Sequence, residues 1–434
     1  MDQEAKTNFS FASIAVSFFI LIVLPLTITG VIISKGVVKV GEEATQANLR
    51  ILDDSQKQSI GGRAQTVADA VAQFLSDREK DIRIASILPR DENSYTTFIR
   101  SNTRGVIRSS QVGMVKIPMP IYREIAFLDK NGVEVLKVTN DGVAGKDQLR
   151  DMSDPKNGEY GDEAYFVKAK GLAPGDFYMG PVVGRHVSKA EFDQGKRFEG
   201  IIRMASPVFD SSGFAGVVEV ALEYVHLMEF TDHIIPTEAG MFFAEVNPDE
   251  MNYAFMVDRD GFVISHPSDY LIAGLDDQMN AVPVMNQGNY ETLAKAGTGA
   301  MNVREMGFVD ENFPRMHSLA SDGKSGSFTY TLDDKRIFAT YAHIPYYGNG
   351  FSKPQGFGWI GMMVDIDRYH HLSQEKVKEI QKKVQRWQKS SIVVVFVSLI
   401  LLFIIALILA RGLYRSIQSA RRPEEMITLE DDKD

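Results

Sequence analysis

The first strong pattern in the chain is a block with no charged residue, Phe11–Ile33, "FASIAVSFFILIVLPLTITGVII". A bilayer-crossing helix needs about 20 apolar residues for a ~30 Å hydrocarbon core, and this block supplies them. A cleavable signal peptide would carry a shorter apolar region, about 7 to 15 residues, ending in a small-residue cleavage site. Neither feature fits here. A second block, 392–410, "IVVVFVSLILLFIIALILA", is equally uncharged and nearly pure in branched aliphatics, which makes a buried soluble helix a poor competitor. The pattern therefore predicts transmembrane helices over 11–33 and 391–410, bracketing a long stretch of ordinary globular composition.

Between the spans the period of the apolar positions changes twice. Over 41–88 turn residues are almost confined to Gly61-Gly62, and Ile60, Ala64, Val67, Val71 and Phe74 recur every three to four residues. A long amphipathic helix is expected there, ending near Pro89. From Ile121 the pattern alternates, as in "IYREIAFLDKNGVEVLKVTND", around an Asn-Gly turn. A short helix is expected around Tyr165 to Lys170, and "RFEGIIRMASPVFDSSGFAGVVEVAL" adds two strands turning at Asp210 to Gly213. A second alternating unit opens near Asn252 with "YAFMVDRDGFVISHP" and closes with "GSFTYTLDDKRIFATYAHIPY" and "GWIGMMVDID". Helical spacing returns at Val377, Ile380, Val384 and Trp387 before the second span.

The recurring strand, Asp-x-x-Gly, strand pattern is what an antiparallel meander writes, because the reversal needs residues that tolerate positive φ. A calcium loop of the EF-hand type would put its glycine sixth, whereas Gly261 is fourth from Asp258. Turns are expected, not metal sites.

The 434 residues exceed one average domain, and a 44% hydrophobic share suffices for real cores once the two spans are set aside. A net charge of -10 argues against nucleic acid as the main partner. The chain has no cysteine, hence neither disulfides nor thiol metal ligands. No Gly-x-Ser-x-Gly, His-Glu-x-x-His or phosphate-loop pattern occurs, so no catalysis and no cofactor are expected. Charge alone leaves the topology open, because Arg411, Arg415, Arg421 and Arg422 follow the second span while Lys376, Lys378, Lys382, Lys383, Arg386 and Lys389 precede it.

The order of these features, a helix out of the membrane, two antiparallel sheet units and a helix back, resembles the double Cache sensor domain of bacterial transmembrane receptors. The segments that carry the resemblance are "DEAYFVKAKGLAPGDFYMGPVV", "RMASPVFDSSGFAGVVEVALEYVHL" and "FMVDRDGFVISHP". It covers about 40–389. It implies an α+β fold of PAS-like antiparallel sheets on a long N-terminal helix. The implied layout is a cytoplasmic N-terminus (1–10), an extracytoplasmic domain (40–390) and a short cytoplasmic tail (411–434). Within the domain it implies a long helix (41–88), a membrane-distal lobe (89–235), a membrane-proximal lobe (236–372) and a stem helix (373–390). It further implies a sensor in the bacterial inner membrane, periplasmic or extracellular in its middle part, working as a parallel homodimer. Such a sensor binds a small molecule in the distal lobe and signals to a cytoplasmic output or a separate partner protein. A structural or assembly protein using a non-sensing Cache fold is the alternative. Amino-acid-binding members carry an Arg-x-Trp-Tyr cluster in the first lobe; here Asp162 to Phe166 lack the arginine and tryptophan, so that binding mode is not expected.

Six residues are candidates for ligand contact. Arg203 lies on an alternating strand beside Ile201 and Ala205, where a guanidinium would suit a carboxylate; pairing with a neighbouring acid is an equal reading. Lys137 on the opposing hairpin has the same two readings. Tyr165, Phe166 and Tyr178 would form an aromatic wall or simply core. Glu223 stands about where family members place an acid for an amine, with Glu219 four residues earlier; both are also readable as solvated charges at a helix start. His266 is expected to be a turn residue. The expected ligand is thus an organic acid or an amine. The tail after Ala410 resembles the opening of a HAMP linker, which leaves open a longer receptor or a short one with a separate partner.

Overall fold

A computed structural model describes residues 10–110, 113–238, 246–332 and 334–421. Two compact units divide the chain, one formed by 1–54 with 370–434, the other by Ser55–Tyr369.

In the first unit, two segments are long and apolar enough to cross a membrane, Phe11–Ile33 and Gln385–Ser419. Phe11 meets Tyr414 edge-on at 6.1 Å, Phe19 meets Phe403 at 6.2 Å, and a Cβ on Gly30 would lie 3.6 Å from Val395. These pairs run in opposite senses along the chain, so the two segments are antiparallel, with Phe11 and Tyr414 at one end and Gly30 and Val395 toward the other. Ala406 and Ala410 are buried, as expected where small side chains let apolar helices approach closely. A five-residue π-turn, Phe19–Val23, precedes Pro25, which has no N–H to donate and crowds the carbonyl four residues earlier.

The amphipathic stretch continues out of the first span within one helix, Leu24–Ile87. The stem expected at 373–390 and the span expected at 391–410 likewise fall within one helix, Ile366–Arg421. Nothing in the intervening residues, Lys35, Gly36 or Ser390 among them, breaks i to i+4 bonding, so polarity changes while the helix continues. Residues 1–9 and 422–434, expected to be cytoplasmic, lie outside the described residues.

The second unit holds two antiparallel sheets and a separate hairpin. The hairpin pairs β1 (Thr103–Ser110) with β2 (Gly113–Pro120). The first lobe's sheet uses β3 (Tyr122–Asp129), β4 (Glu134–Thr139), β5 (Gly142–Val143), β6 (Tyr178–Arg185), β7 (Glu199–Asp210) and β8 (Gly213–Glu223), in the order β5-β4-β3-β8-β7-β6. The second uses β9 (Asn252–Asp258), β10 (Val263–Ser265), β11 (Gly326–Leu332), β12 (Lys335–Ile344) and β13 (Gly358–Asp365), ordered β10-β9-β13-β12-β11.

One core runs along the long helix. Ile60, Ala64, Ala68, Val71, Leu75, Ile82 and Ala85 are buried on one stripe. They pack with Ile125, Ile202, Met204, Val220 and Leu222 of the first sheet and with Met256, Ala342, Ile360 and Met362 of the second. Strand alternation then sends Glu124, Lys137, Ile201, Arg203, Glu219 and Glu223 to the opposite face of the first sheet. That face is covered by the helix Tyr165–Lys170, where the sequence pattern places a helix.

The three Asp-x-x-Gly stretches are turns closed in the same way. The Oδ1 of Asp129 accepts from the amides of Asn131, Gly132 and Val133; that of Asp210 from Ser212; that of Asp258 from Asp260 and Phe262. Each carboxylate is engaged by its own backbone, and Gly132 and Gly261 have φ of 100° and 92°, a region that glycine enters without strain. Between the two hairpins of the second sheet, the polar stretch 297–322 contains a ten-residue helix, Asn312–Ser321.

Candidate functional site

Arg203 sits near the centre of the first sheet's outer face and is 5% exposed. Its Nη1 donates to Oε1 of Glu219 at 2.9 Å and to Oε1 of Glu124, and its Nε donates to Oε1 of Glu163 at 3.3 Å. The guanidinium also lies 5.3 Å from the ring centre of Tyr165. The register explains this convergence: Arg203 is opposite Ala221 and Ala205 opposite Glu219, so arginine and glutamate meet diagonally across two alanines that leave room for them.

Lys137 extends the cluster. Its Nζ is 3.0 Å from Oε2 of Glu124 and 3.4 Å from Oε1 of Glu134. The other oxygen of Glu134 accepts from the amide of Arg150 at 2.9 Å, and the other oxygen of Glu163 from the amide of Glu159 at 3.1 Å. Glu159 continues outward, 3.7 Å from Nη2 of Arg203 and 3.3 Å from Nη2 of Arg123, which donates through Nη1 to Tyr160 at 2.7 Å.

Glu124, Glu134, Glu163 and Glu219, all buried, therefore surround two cations. Burial disfavours every charge here, and the outcome for each carboxyl depends on how many cations it touches. For Glu124 burial is the largest influence and acts upward, but Arg203 and Lys137 together outweigh it and hold the group well below the usual carboxylate range. For Glu219 burial wins, and the nearby charge of Glu124 adds to it. The Glu219 carboxyl is thus held well above the usual carboxylate range, against the opposing pull of Arg203. It is 0% exposed, and its Oε2 has no hydrogen-bond partner among the described residues.

A raised carboxyl pKa stabilises the fold below its unfolded value, about 4.3, and that stability is lost as pH rises through the higher folded value. Glu219→Gln removes the titration while keeping an acceptor for Arg203. Thermal melts between pH 5 and 9 are expected to show the variant matching the wild type at the acid end and exceeding it at the alkaline end. Parallel curves would remove Glu219 as the titrating group.

The six candidate residues divide as follows. Arg203, Lys137 and Tyr165 meet in the buried cluster, with both cations occupied by protein carboxylates. Phe166 and the half-buried Tyr178 join Tyr165 in an apolar group with Met152, Ala169 and Ala205. Phe166 lies under the β3–β4 turn, where a Cβ on Gly132 would come within 2.8 Å of its ring. Glu223 is partly buried, and burial raises its pKa against the opposing effect of Arg123. The reading of Glu219 and Glu223 as solvated helix-start charges is corrected: both are on β8, because alternation carries every second residue of "VVEVALE" to the covered outer face. His266 is buried, and its Nδ1 accepts from the amide of Ser268 at 2.9 Å, a turn contact.

Sequence reasoning missed Glu124, Glu134 and Glu163. Glu124 shares the parity of Ala126 and Leu128 in an otherwise buried strand, and an acid at an apolar parity is the signal that would have found it, whereas Glu134 reaches this face through a register shift that sets it opposite Leu128. Glu163 lies on the cover segment, where periodicity offers no such signal.

Two antiparallel sheets follow one another along one long helix, with an apolar segment before and after them in the chain. No family model and no curated protein matches the chain. Solved structures similar to it include the sensory domain of a Campylobacter jejuni chemoreceptor, at 11% identity over 73% of this chain and 96% of that one, TM-score 0.40. The ligand-binding domain of a Pseudomonas fluorescens chemoreceptor in complex with L-isoleucine matches at 14% identity over 74% and 98%, TM-score 0.39. That of a Pseudomonas aeruginosa PAO1 amino acid chemoreceptor in complex with GABA matches at 13% over 71% and 99%, TM-score 0.39.

Proposed function

We propose that the chain is a membrane-anchored extracytoplasmic receptor that takes a small polar molecule, an organic acid or an amine, on the outer face of its first sheet. The observation supporting this reading is the buried Arg203–Lys137 cluster with the unmet Oε2 of Glu219. Burying several charges stabilises a fold little, since their desolvation offsets their mutual attraction. A ligand's charged group would replace one member of the cluster and meet the position that Glu219 leaves open. Its binding energy would favour one packing of the lobe over another, and the helix Leu24–Ile87 would pass that population shift toward the membrane. The role is one of binding without catalysis, in a parallel homodimer with a cytoplasmic output or partner.

The test is a thermal-shift screen of the full chain in lipid nanodiscs against organic acids, amines and amino acids. A ligand at 100 times its Kd adds about 2.7 kcal/mol, enough to raise Tm by several degrees. A hit that disappears in both Arg203→Lys and Glu219→Gln is expected. A screen without such a hit, together with copurification of a fixed partner, would favour the alternative of a non-sensing interaction module.

A further inference from the structure

A cavity of about 760 Å³ lies between the first lobe and the second. Drug-sized ligands occupy cavities of about 300–1,000 Å³ with apolar walls and a few placed polar groups. Phe192, Phe198 and Met228 supply apolar wall, and Asp232 and Asp269 face the same space.

Among the described residues the two aspartates form no ion pair, although His233 and Arg197 act on them from a distance. Asp269 is 3% exposed; its Oδ2 accepts from the amide of Phe198 at 2.6 Å, and its Oδ1 accepts from no described residue. Asp232 accepts from the hydroxyl of Ser265 at 3.1 Å through Oδ1 alone. Among the described residues neither has a cation within ion-pair distance. The other charged groups lining the cavity are Arg108, Arg197, Glu229 and His233. Arg197 is exposed and stacks 4.2 Å over the ring of Phe192. Glu229 accepts from the amide of Ile107 at 3.0 Å and faces His233 at 3.6 Å. Burial raises the pKa of Asp232 to about 7, with the charge of Asp269 adding to it, and burial raises Asp269 to about 6. The chamber thus holds two mutually repelling carboxylates beside apolar surface.

We propose that this cavity binds a small organic cation, an ammonium carried on an apolar body, with the ammonium on Asp232 and Asp269 and the body against Phe198 and Met228. Asp232 follows the helix Val225–Met228 of the first lobe and Asp269 follows β10 of the second, so an occupant ties the lobes together at a place separate from the outer-face cluster.

The probe is phenethylamine, with 2-phenylethanol as its uncharged counterpart, titrated calorimetrically into the full chain in nanodiscs at pH 8. Binding of the amine and at least tenfold weaker binding of the alcohol are expected. Asp232→Asn/Asp269→Asn, near-isosteric and relieved of the repulsion, should weaken the amine at least tenfold while melting no lower than the wild type. In the unmodified chain the amine should bind at least tenfold more weakly at pH 5 than at pH 8, because the carboxylates take up protons while the amine stays charged. Amine binding that is absent at pH 8, equalled by the alcohol, unchanged at pH 5 or unchanged in the double variant overturns the proposal. So does binding lost in Glu219→Gln, which would assign the amine to the outer-face cluster.

Discussion

Arg203→Ala is expected to destabilise the sensor domain by about 3–5 kcal/mol at pH 7.5, the range for removing one partner of a buried ionic group. The variant leaves Glu124, Glu163 and Glu219 facing one another in a site closed to water, with Lys137 as the remaining cation in contact with Glu124. The loss should shrink as pH falls. In the wild type Glu124 is held below its ordinary range, so its contribution is present above about pH 4.3 and disappears as pH drops through the folded value. In the variant Glu124 loses its Arg203 partner and burial raises it instead, so protonation relieves it at mildly acid pH. Melting curves of the full chain at pH 7.5 and 5 should therefore lie closer to the wild type at pH 5. An uncharged Arg203→Met/Glu124→Gln/Glu219→Gln variant should recover much of the stability. A Tm loss equal at both pH values would show that Arg203 acts by packing alone.

Trp359→Ala is expected to cost about 3–5 kcal/mol, as large-to-small changes of buried aromatics do. Trp359 is 1% exposed on β13, edge-on to Phe255 at 5.5 Å and to Tyr341 at 6.4 Å. Its Nε1 donates to Nδ1 of His317 at 3.2 Å, which joins the helix Asn312–Ser321 to the sheet. Alanine would leave a cavity among these rings and a buried imidazole without its donor. Trp359→Phe keeps most of the volume and loses only the hydrogen bond, so it should cost about 1 kcal/mol. Equal Tm losses for the two variants would mean that the hydrogen bond, not the packing, holds the second lobe together.

The two cases mark where local pattern suffices and where it does not. Trp359 lies in the run "GWIGMMVDID", whose apolar residues announce a buried strand without any knowledge of its neighbours. Arg203 lies in an equally apolar run, "IIRMASPV", and its strand was as legible; its partners were not. Glu124, Glu163 and Glu219 are separated from it by 79, 40 and 16 residues. Which acid reaches which base depends on strand order β4-β3-β8-β7 and on register, and a shift of one residue would turn every one of these side chains to the other face.

The sequence by itself determined the apolar segments, the helical stripe from Ile60 to Phe74, the Asp-x-x-Gly turns and the two successive sheets. Each of these follows from interactions within a few residues, or from a period that any partner surface would read alike. Tertiary structure alone decided that the candidate cations are already matched by protein carboxylates, that Glu219 is buried on a strand, and that Asp232 and Asp269 share an interlobe cavity. Those facts concern charges brought close by chain segments far apart in sequence. Burial and distance, which set the energy of a charge, exist only once the sheets have formed.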